Sequence, residues 1–125
     1  MMKKLLMMLA LGAATIACGP ALAHGDAPPQ YGGIMKMVDD MSFELVVKGD
    51  TAALYLGDHG EKVPTANMTG KLTVLSGINK SEAKLEPAGG HKLEAKGVKI
   101  AKGDKVIALM TSTDKKTTSV RFVIK

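Results

Sequence analysis

The chain has 125 residues, with 17 Lys and Arg, 12 Asp and Glu, 3 His, a single Cys and no Trp. That length allows one domain behind a targeting segment, and a domain of about 100 residues leaves little room for a deep enzyme cleft. The positive charge is spread along the chain without basic clusters interleaved with aromatic residues, which argues against nucleic-acid binding.

The N-terminus has the pattern of a bacterial secretory signal peptide. Met1–Lys4 is a short basic start, Leu5–Ala17 is an almost unbroken apolar run, and Ala21-Leu22-Ala23 is a small-x-small cleavage site. We therefore predict a signal peptide over residues 1–23, which is too short for a good transmembrane helix. A chain that starts at His24 has 125 − 23 = 102 residues, and its formal charge falls to 15 − 12 = +3.

Cleavage after Ala23 also removes Cys18, which excludes a disulfide or a thiolate metal site from the exported chain. An alternative interpretation takes Thr15–Cys18 as a lipobox, which would anchor the protein as a lipoprotein at Cys18. The Leu expected three residues before that cysteine is missing, so we favour simple cleavage and export to the periplasm.

Beyond the cleavage site we predict an extended arm over residues 24–33 and an all-β domain over residues 34–125. Short apolar-alternating runs are separated by turn residues, and no window shows helical periodicity. Seven to eight strands with this spacing indicate an immunoglobulin-like antiparallel β-sandwich, without the Cys pair and Trp of true immunoglobulin domains. The clearest runs are Met41–Lys48, Thr51–Leu56, Lys71–Leu75, His91–Ala95, Lys105–Met110 and Thr118–Ile124.

His24 is the first candidate metal ligand. As the first residue of the exported chain it would carry a free α-amine beside its imidazole, and these two nitrogens can chelate one ion. Nitrogen ligands suit Cu(II) in particular. His59 and His91 are the candidates for a further imidazole, and Asp26 or Asp58 could add an oxygen. The alternative is that His24 merely follows the cleavage site on an unstructured arm.

The second candidate is Asp58-His59-Gly60, within the long predicted surface connection Gly57–Asn67. Functional residues often lie on loops that a rigid scaffold holds. An Asp beside a His can ligate a metal or fix the imidazole tautomer by a hydrogen bond. Taken alone, Asp and Gly are also ordinary turn residues, and His91 by itself is more often a surface residue than a ligand.

Methionine provides a third, weaker candidate. Met35 and Met37 lie two residues apart, so their thioethers share one face of a strand, and thioethers favour Cu(I). The alternative is that they fill the core as adaptable apolar residues. Ile34 and Val38 lie on the opposite face, so the sequence leaves open which face is inside.

Catalytic motifs are missing from the sequence, and we predict that the protein is not an enzyme. It has no Gly-x-Ser-x-Gly elbow and no phosphate-binding loop, and Asp39-Asp40 is better interpreted as a turn than as an acid–base pair. A copper oxygenase would also use an N-terminal His, but so small a domain with so few aromatic residues offers little substrate platform.

An ordered series of segments carries a family resemblance: Tyr31–Ile34, Ser42–Val46, Leu54–Gly60, Thr69–Leu75, Leu85–Gly89, Lys92–Ala95 and Ser119–Phe122. The series resembles small periplasmic proteins that accompany RND-type heavy-metal efflux systems of the copper/silver and cobalt/zinc/cadmium types. The resemblance spans residues 31–125 and is most specific at Asp58-His59-Gly60 and Pro87-Ala88-Gly89. Related sequence also resembles the N-terminal part of some membrane-fusion subunits of these pumps.

This resemblance implies a β-sandwich, export to the periplasm, and metal binding or delivery through His59 and, less strongly, Asp58. Similar proteins often have His-Gly-Gly where this chain has Tyr31-Gly32-Gly33. If that His is a ligand, His24 would have to replace it from seven residues upstream, and an extended chain of that length spans over ~20 Å.

The sequence thus supports two hypotheses. The first is a metal-binding accessory protein that buffers copper or zinc-like ions or delivers them to a heavy-metal efflux system. The second is a metal-free β-sandwich module that docks on an efflux or envelope partner through an edge strand.

Overall fold

In a computed structural model of the chain, residues 28–125 are described, and they form nine β-strands without a helix. The predicted signal peptide, with Cys18, and the arm residues His24 and Asp26 lie outside the described residues. The strands are β1 Ile34–Val38, β2 Met41–Lys48, β3 Thr51–Asp58, β4 Glu61–Lys62, β5 Thr69–Ser76, β6 Asn79–Pro87, β7 Lys92–Lys96, β8 Lys105–Thr111 and β9 Thr117–Val123.

The strands form one antiparallel path in the order β1-β2-β3-β7-β6-β5-β8-β9, with the short β4 paired to β3. Strand β6 joins the two halves, because it pairs with β5 along most of its length and with β7 through Glu86 and Pro87. The end strands β1 and β9 approach each other, so the sheet is nearly closed into a barrel. The prediction of an all-β antiparallel domain is confirmed, whereas the immunoglobulin-like sandwich stays a prediction.

Tight turns set the register of the first hairpins. Two residues, Asp39-Asp40, join β1 to β2, and Gly49-Asp50 join β2 to β3. Gly49 takes a positive φ of 57°, which glycine adopts at little steric cost. The turn at Asp39-Asp40 is confirmed, and β2 has the predicted bounds Met41–Lys48.

The predicted connection Gly57–Asn67 is wrong in its first half. Gly57 and Asp58 end β3, the chain reverses at His59-Gly60, and Glu61–Lys62 pairs back as β4. The reversal is possible because His59 and Gly60 both take positive φ, 51° and 83°, the backbone signature of a two-residue hairpin turn. A shorter connection over residues 63–68 then leads to β5.

The core lies between the inward faces of the strands, where alternate residues are apolar as a period of two requires. Its largest fully buried side chains include Phe43, Phe122, Leu54, Leu72 and Leu93. Ile34 and Val38 of β1 pack against this core. The interior of β1 is therefore the Ile34/Val38 face, which settles the alternative that the sequence left open.

No helix in residues 28–125 is long and apolar enough to cross a membrane.

Truncation of Leu54 to Ala is expected to lower the free energy of unfolding by about 2–5 kcal/mol, because its fully buried side chain would leave a cavity. Ile78 is the matched control, since this aliphatic residue is 100% exposed in a hairpin turn, and Ile78→Ala should change stability by less than about 0.5 kcal/mol. Urea unfolding of both variants tests the assignment of the core, and equal losses would contradict it.

Candidate functional site

His59 occupies the first position of the β3–β4 hairpin turn. Asp58 pairs with Glu61, so His59 and Gly60 are the only two residues between the strands. Its φ of 51° is unusual for a residue with a Cβ, although His tolerates this region better than most. The two-residue turn accounts for this conformation, which Asp39 also takes in the β1–β2 turn with a φ of 56°.

Two carboxylates flank the imidazole of His59. Its Nδ1 lies 2.6 Å from Oδ1 of Asp58, and its Nε2 lies 3.3 Å from Oδ2 of Asp40. The side chains of His59 and Asp40 are 70% and 73% exposed, and that of Asp58 is 48% exposed. The cluster is therefore open to water, and its side chains can rearrange when an ion approaches.

Asp40 reaches His59 through the pairing of β2 with β3. Met41 pairs with Asp58, so the residues just beyond that pair, Asp40 and His59, face each other as well. The backbone N–H of His59 donates to the carbonyl oxygen of Asp40 at 3.1 Å. Sequence reasoning identified Asp39-Asp40 only as a turn and missed Asp40 as a neighbour of His59.

The cluster is not a closed metal site. Among residues 28–125 no group of three or more His, Cys, Asp or Glu side chains is arranged to hold a metal ion. Both ring nitrogens of His59 face a carboxylate, so an ion that binds Nε2 has to displace or recruit Asp40. Asp58 can meanwhile hold Nδ1 and keep the ring oriented, as a carboxylate behind a metal-bound His commonly does.

His91 belongs to a different group, formed with Tyr31 and Tyr55. The two tyrosine rings stack with centroids 3.9 Å apart and an interplanar angle of 15°. The Nε2 of His91 lies 3.1 Å from the hydroxyl of Tyr31, and its ring is tilted against both tyrosines. Tyr55 is brought here by the pairing of β3 with β7, where it lies opposite Lys92.

A buried carboxylate fixes Tyr31 in this group. Glu44, at 1% exposure on β2, accepts hydrogen bonds from the backbone N–H groups of Gln30, Tyr31 and Gly33 at 2.7, 2.8 and 2.8 Å. A buried charge is tolerable when several donors replace water in this way. The end of the predicted arm is therefore held against the sheet at these residues.

Gly33 is required for that arrangement. A Cβ at this position would lie 2.1 Å from the backbone oxygen of Leu45, well inside the contact distance.

A narrow cleft of about 60 Å³ connects the arm with both histidine regions. Gln30 and Tyr31 line it on one side, Gly60 and Glu61 of the β3–β4 turn on another, and His91 closes it. His59 itself does not line the cleft, and neither does Asp58. The fixed end of the arm thus lies beside the turn that carries His59, although His59 and His91 do not share one site.

The outward face of β1 carries Met35 and Met37. Met35 is half-buried beside the cleft, and Met37 is 38% exposed. Neither contributes to the core, so the alternative that both fill it is wrong.

Comparison of the chain with models of known protein families, with curated proteins and with solved structures gives no match. The resemblance to efflux-associated periplasmic proteins therefore stays a prediction.

Replacement of Glu44 by Gln should destabilise the protein by about 1–3 kcal/mol, because an amide cannot accept all three backbone N–H groups and leaves a buried donor unsatisfied. Hydrogen exchange at Gln30, Tyr31 and Gly33 should accelerate. The control Glu82→Gln, which removes exposed ion pairs with Lys71 and Lys80, should cost less than about 1 kcal/mol. Unchanged exchange in the Glu44 variant would contradict the proposed anchoring.

The pKa of His91 is lowered from its ordinary value of 6.5, first by burial and then by the positive charge of Lys62. As the pH falls, the unfolded chain therefore takes up the His91 proton before the folded chain does. The contribution of His91 to the free energy of unfolding is thus fully present above pH 6.5 and is lost as the pH falls through the lowered pKa. The free energy of unfolding, measured in urea, should therefore fall less between about pH 7.5 and about pH 5 in His91→Gln than in the unmodified protein.

An NMR titration supplies the control for this assignment. Lys62→Gln should move the pKa of His91 part of the way back toward 6.5, whereas Lys48→Gln, at the far end of β2, should leave it unchanged. A His91 pKa at or above 6.5 in the unmodified protein would contradict the lowered value.

Proposed function

We propose that this chain is a periplasmic metal-binding accessory protein that takes copper or zinc-like divalent ions and buffers them or delivers them to a heavy-metal efflux system. The observation that carries the proposal is the imidazole of His59, held between the carboxylates of Asp58 and Asp40 on an exposed turn. The signal-peptide pattern and the family resemblance of the sequence support the same function and location.

The open character of the cluster suits a carrier. A protein that passes its metal on requires ligands that exchange, and a closed site of four protein ligands holds its ion instead. Nε2 of His59 and the carboxylate of Asp40 supply the first two donors, while Asp58 orients the ring. Imidazole and carboxylate together suit Cu(II) and Zn(II).

The remaining donors would come from the predicted arm. His24 would add its α-amine and imidazole, and Asp26 a carboxylate. The six residues from His24 to Gln30 reach ~20 Å when extended. Because Gln30 is fixed beside Gly60, this length is sufficient for His24 to reach the turn that carries His59. His91 is a weaker helper, since its Nε2 would first have to release the hydroxyl of Tyr31.

A second candidate is the metal-free interaction module. The end strands β1 and β9 each have one edge without a hydrogen-bonded neighbour among the described strands, and these edges face each other where the barrel is not closed, so a partner strand would insert between them. Such an edge can accept a strand from an efflux or envelope partner.

Titration of the chain that starts at His24 with Cu(II) and with Zn(II) distinguishes the two candidates. The metal-binding function predicts that His59→Ala, or an extra residue placed before His24, weakens binding by roughly tenfold or more. Binding should also weaken below roughly pH 6, where imidazole nitrogens are protonated and no longer ligate.

Asp40 has a matched control in Asp50, which occupies the turn at the other end of β2. Asp40→Asn should weaken binding and Asp50→Asn should not. The interaction module would be favoured instead if the unmodified chain binds metal only at micromolar affinity or weaker, and if His59→Ala and the chain with an extra residue before His24 bind it equally well.

A further inference from the structure

Three of the chain's methionines line one cavity that the functional proposal does not use. The cavity has a volume of about 570 Å³ and opens to solvent at the end of the sheet where His59 lies. Met41, Met68 and Met110 line it together with the core residues Phe43 and Leu56. Asp58, which bonds to His59, lines it too, so the cavity adjoins the cluster at the turn.

The strand registers explain how these methionines meet. Met41 lies two residues before Phe43 on β2, so both side chains face the interior. Gly70 pairs with Met110 across β5 and β8, and Met68 lies two residues before Gly70. Met68 thus lies just before the paired segment, and it lines the same cavity as Met110.

Gly70 allows close packing at this position. A Cβ there would lie 2.7 Å from the backbone oxygen of Leu109 and 3.1 Å from the Cβ of Leu85.

The burial of the three side chains is graded from the core to the mouth. Met110 is 1% exposed, whereas Met41 and Met68 are half-buried and pack against the core from its edge. Methionines often serve only to fill irregular gaps. Here, however, they line a cavity that is open to solvent, and their flexible side chains can turn their sulfur atoms toward it.

Acidic side chains at the mouth favour a cation. Asp58 and Asp114 both line the cavity, and Lys116 is the opposing positive charge there. The Ser112 hydroxyl donates to Asp114, and this hydrogen bond lowers the pKa of that carboxyl below its ordinary 3.8, which keeps it ionised.

We propose that this cavity is a second metal site, which binds Cu(I) through the thioether sulfurs of Met41, Met68 and Met110. Soft thioethers select Cu(I), whereas the imidazole and carboxylates of the His59 cluster suit divalent ions. The inference deepens the proposed metal-binding function, on which it rests, by adding a monovalent, soft cargo and the residues that hold it.

Silver provides the test, because Ag(I) is a soft monovalent ion that needs no reductant in solution. The chain that starts at His24 is labelled with ¹³C at its methionine methyl groups and titrated with Ag(I). We expect the methyl signals of Met41, Met68 and Met110 to shift together and to saturate at one equivalent. The signals of Met35 and Met37, on the outward face of β1, should not move in that range.

Near-isosteric variants test which sulfurs bind. Met41→Leu and Met68→Leu each remove a thioether but keep an apolar side chain of similar size, and we expect each to weaken Ag(I) binding by roughly tenfold or more. The double variant Met35→Leu/Met37→Leu is the matched control and should bind Ag(I) as the unmodified chain does.

The inference is overturned if Ag(I) leaves the three methyl signals unchanged, or if binding survives Met41→Leu and Met68→Leu in folded protein. It is also overturned if His59→Ala or the Met35/Met37 variant removes the binding. The methyl titration needs no variant, so misfolding of a substituted protein does not prevent the test.

Cu(II) and Zn(II) titrations of the same variants separate this inference from the proposed function. Loss of divalent binding in His59→Ala together with intact Ag(I) binding supports both sites. Divalent binding without any methionine shift overturns only the cavity site, and a methionine shift without divalent binding overturns only the His59 site.

Discussion

Three hydrogen bonds from backbone N–H groups to the buried carboxylate of Glu44 fix the surface beside the candidate site. A buried charge on a central strand is stable only because Gln30, Tyr31 and Gly33 replace its water. The same hydrogen bonds hold Tyr31 against the sheet and fix the position of Gln30 within the predicted arm. That position lies beside the β3–β4 turn, which carries His59.

Most chemically active side chains gather at one end of the sheet. The turn at His59-Gly60 and the Asp39-Asp40 turn meet there, and the mouth of the methionine-lined cavity opens beside them. Strands hold these short segments firmly, while exposure leaves the side chains free to exchange partners. Nitrogen and oxygen atoms lie at the rim and thioether sulfurs line the cavity, which is the arrangement that the two proposed sites, for divalent ions and for Cu(I), require.

Part of the candidate site could be predicted because hairpin geometry is local. The strand Met41–Lys48 and the turn Gly49-Asp50 follow from alternation and turn chemistry, and a two-residue turn fixes every pair along the hairpin. That register already places Asp40 opposite His59, a neighbour that the residue pattern alone concealed. The turn at His59 could not be foreseen in the same way, because a positive φ at a His is uncommon and gives no sequence pattern.

By itself the sequence determined the all-β class, the alternation of most strands and the local hairpins, since these depend on residues close in the chain. Only the tertiary structure decided what pairs across long separations. The pairing of β3 with β7 brings Tyr55 to His91, and the pairing of β5 with β8 places Gly70, two residues after Met68, opposite Met110. It also decided which face of β1 is inside, because both faces carry apolar side chains and only packing against the core distinguishes Ile34 and Val38 from the methionines between them.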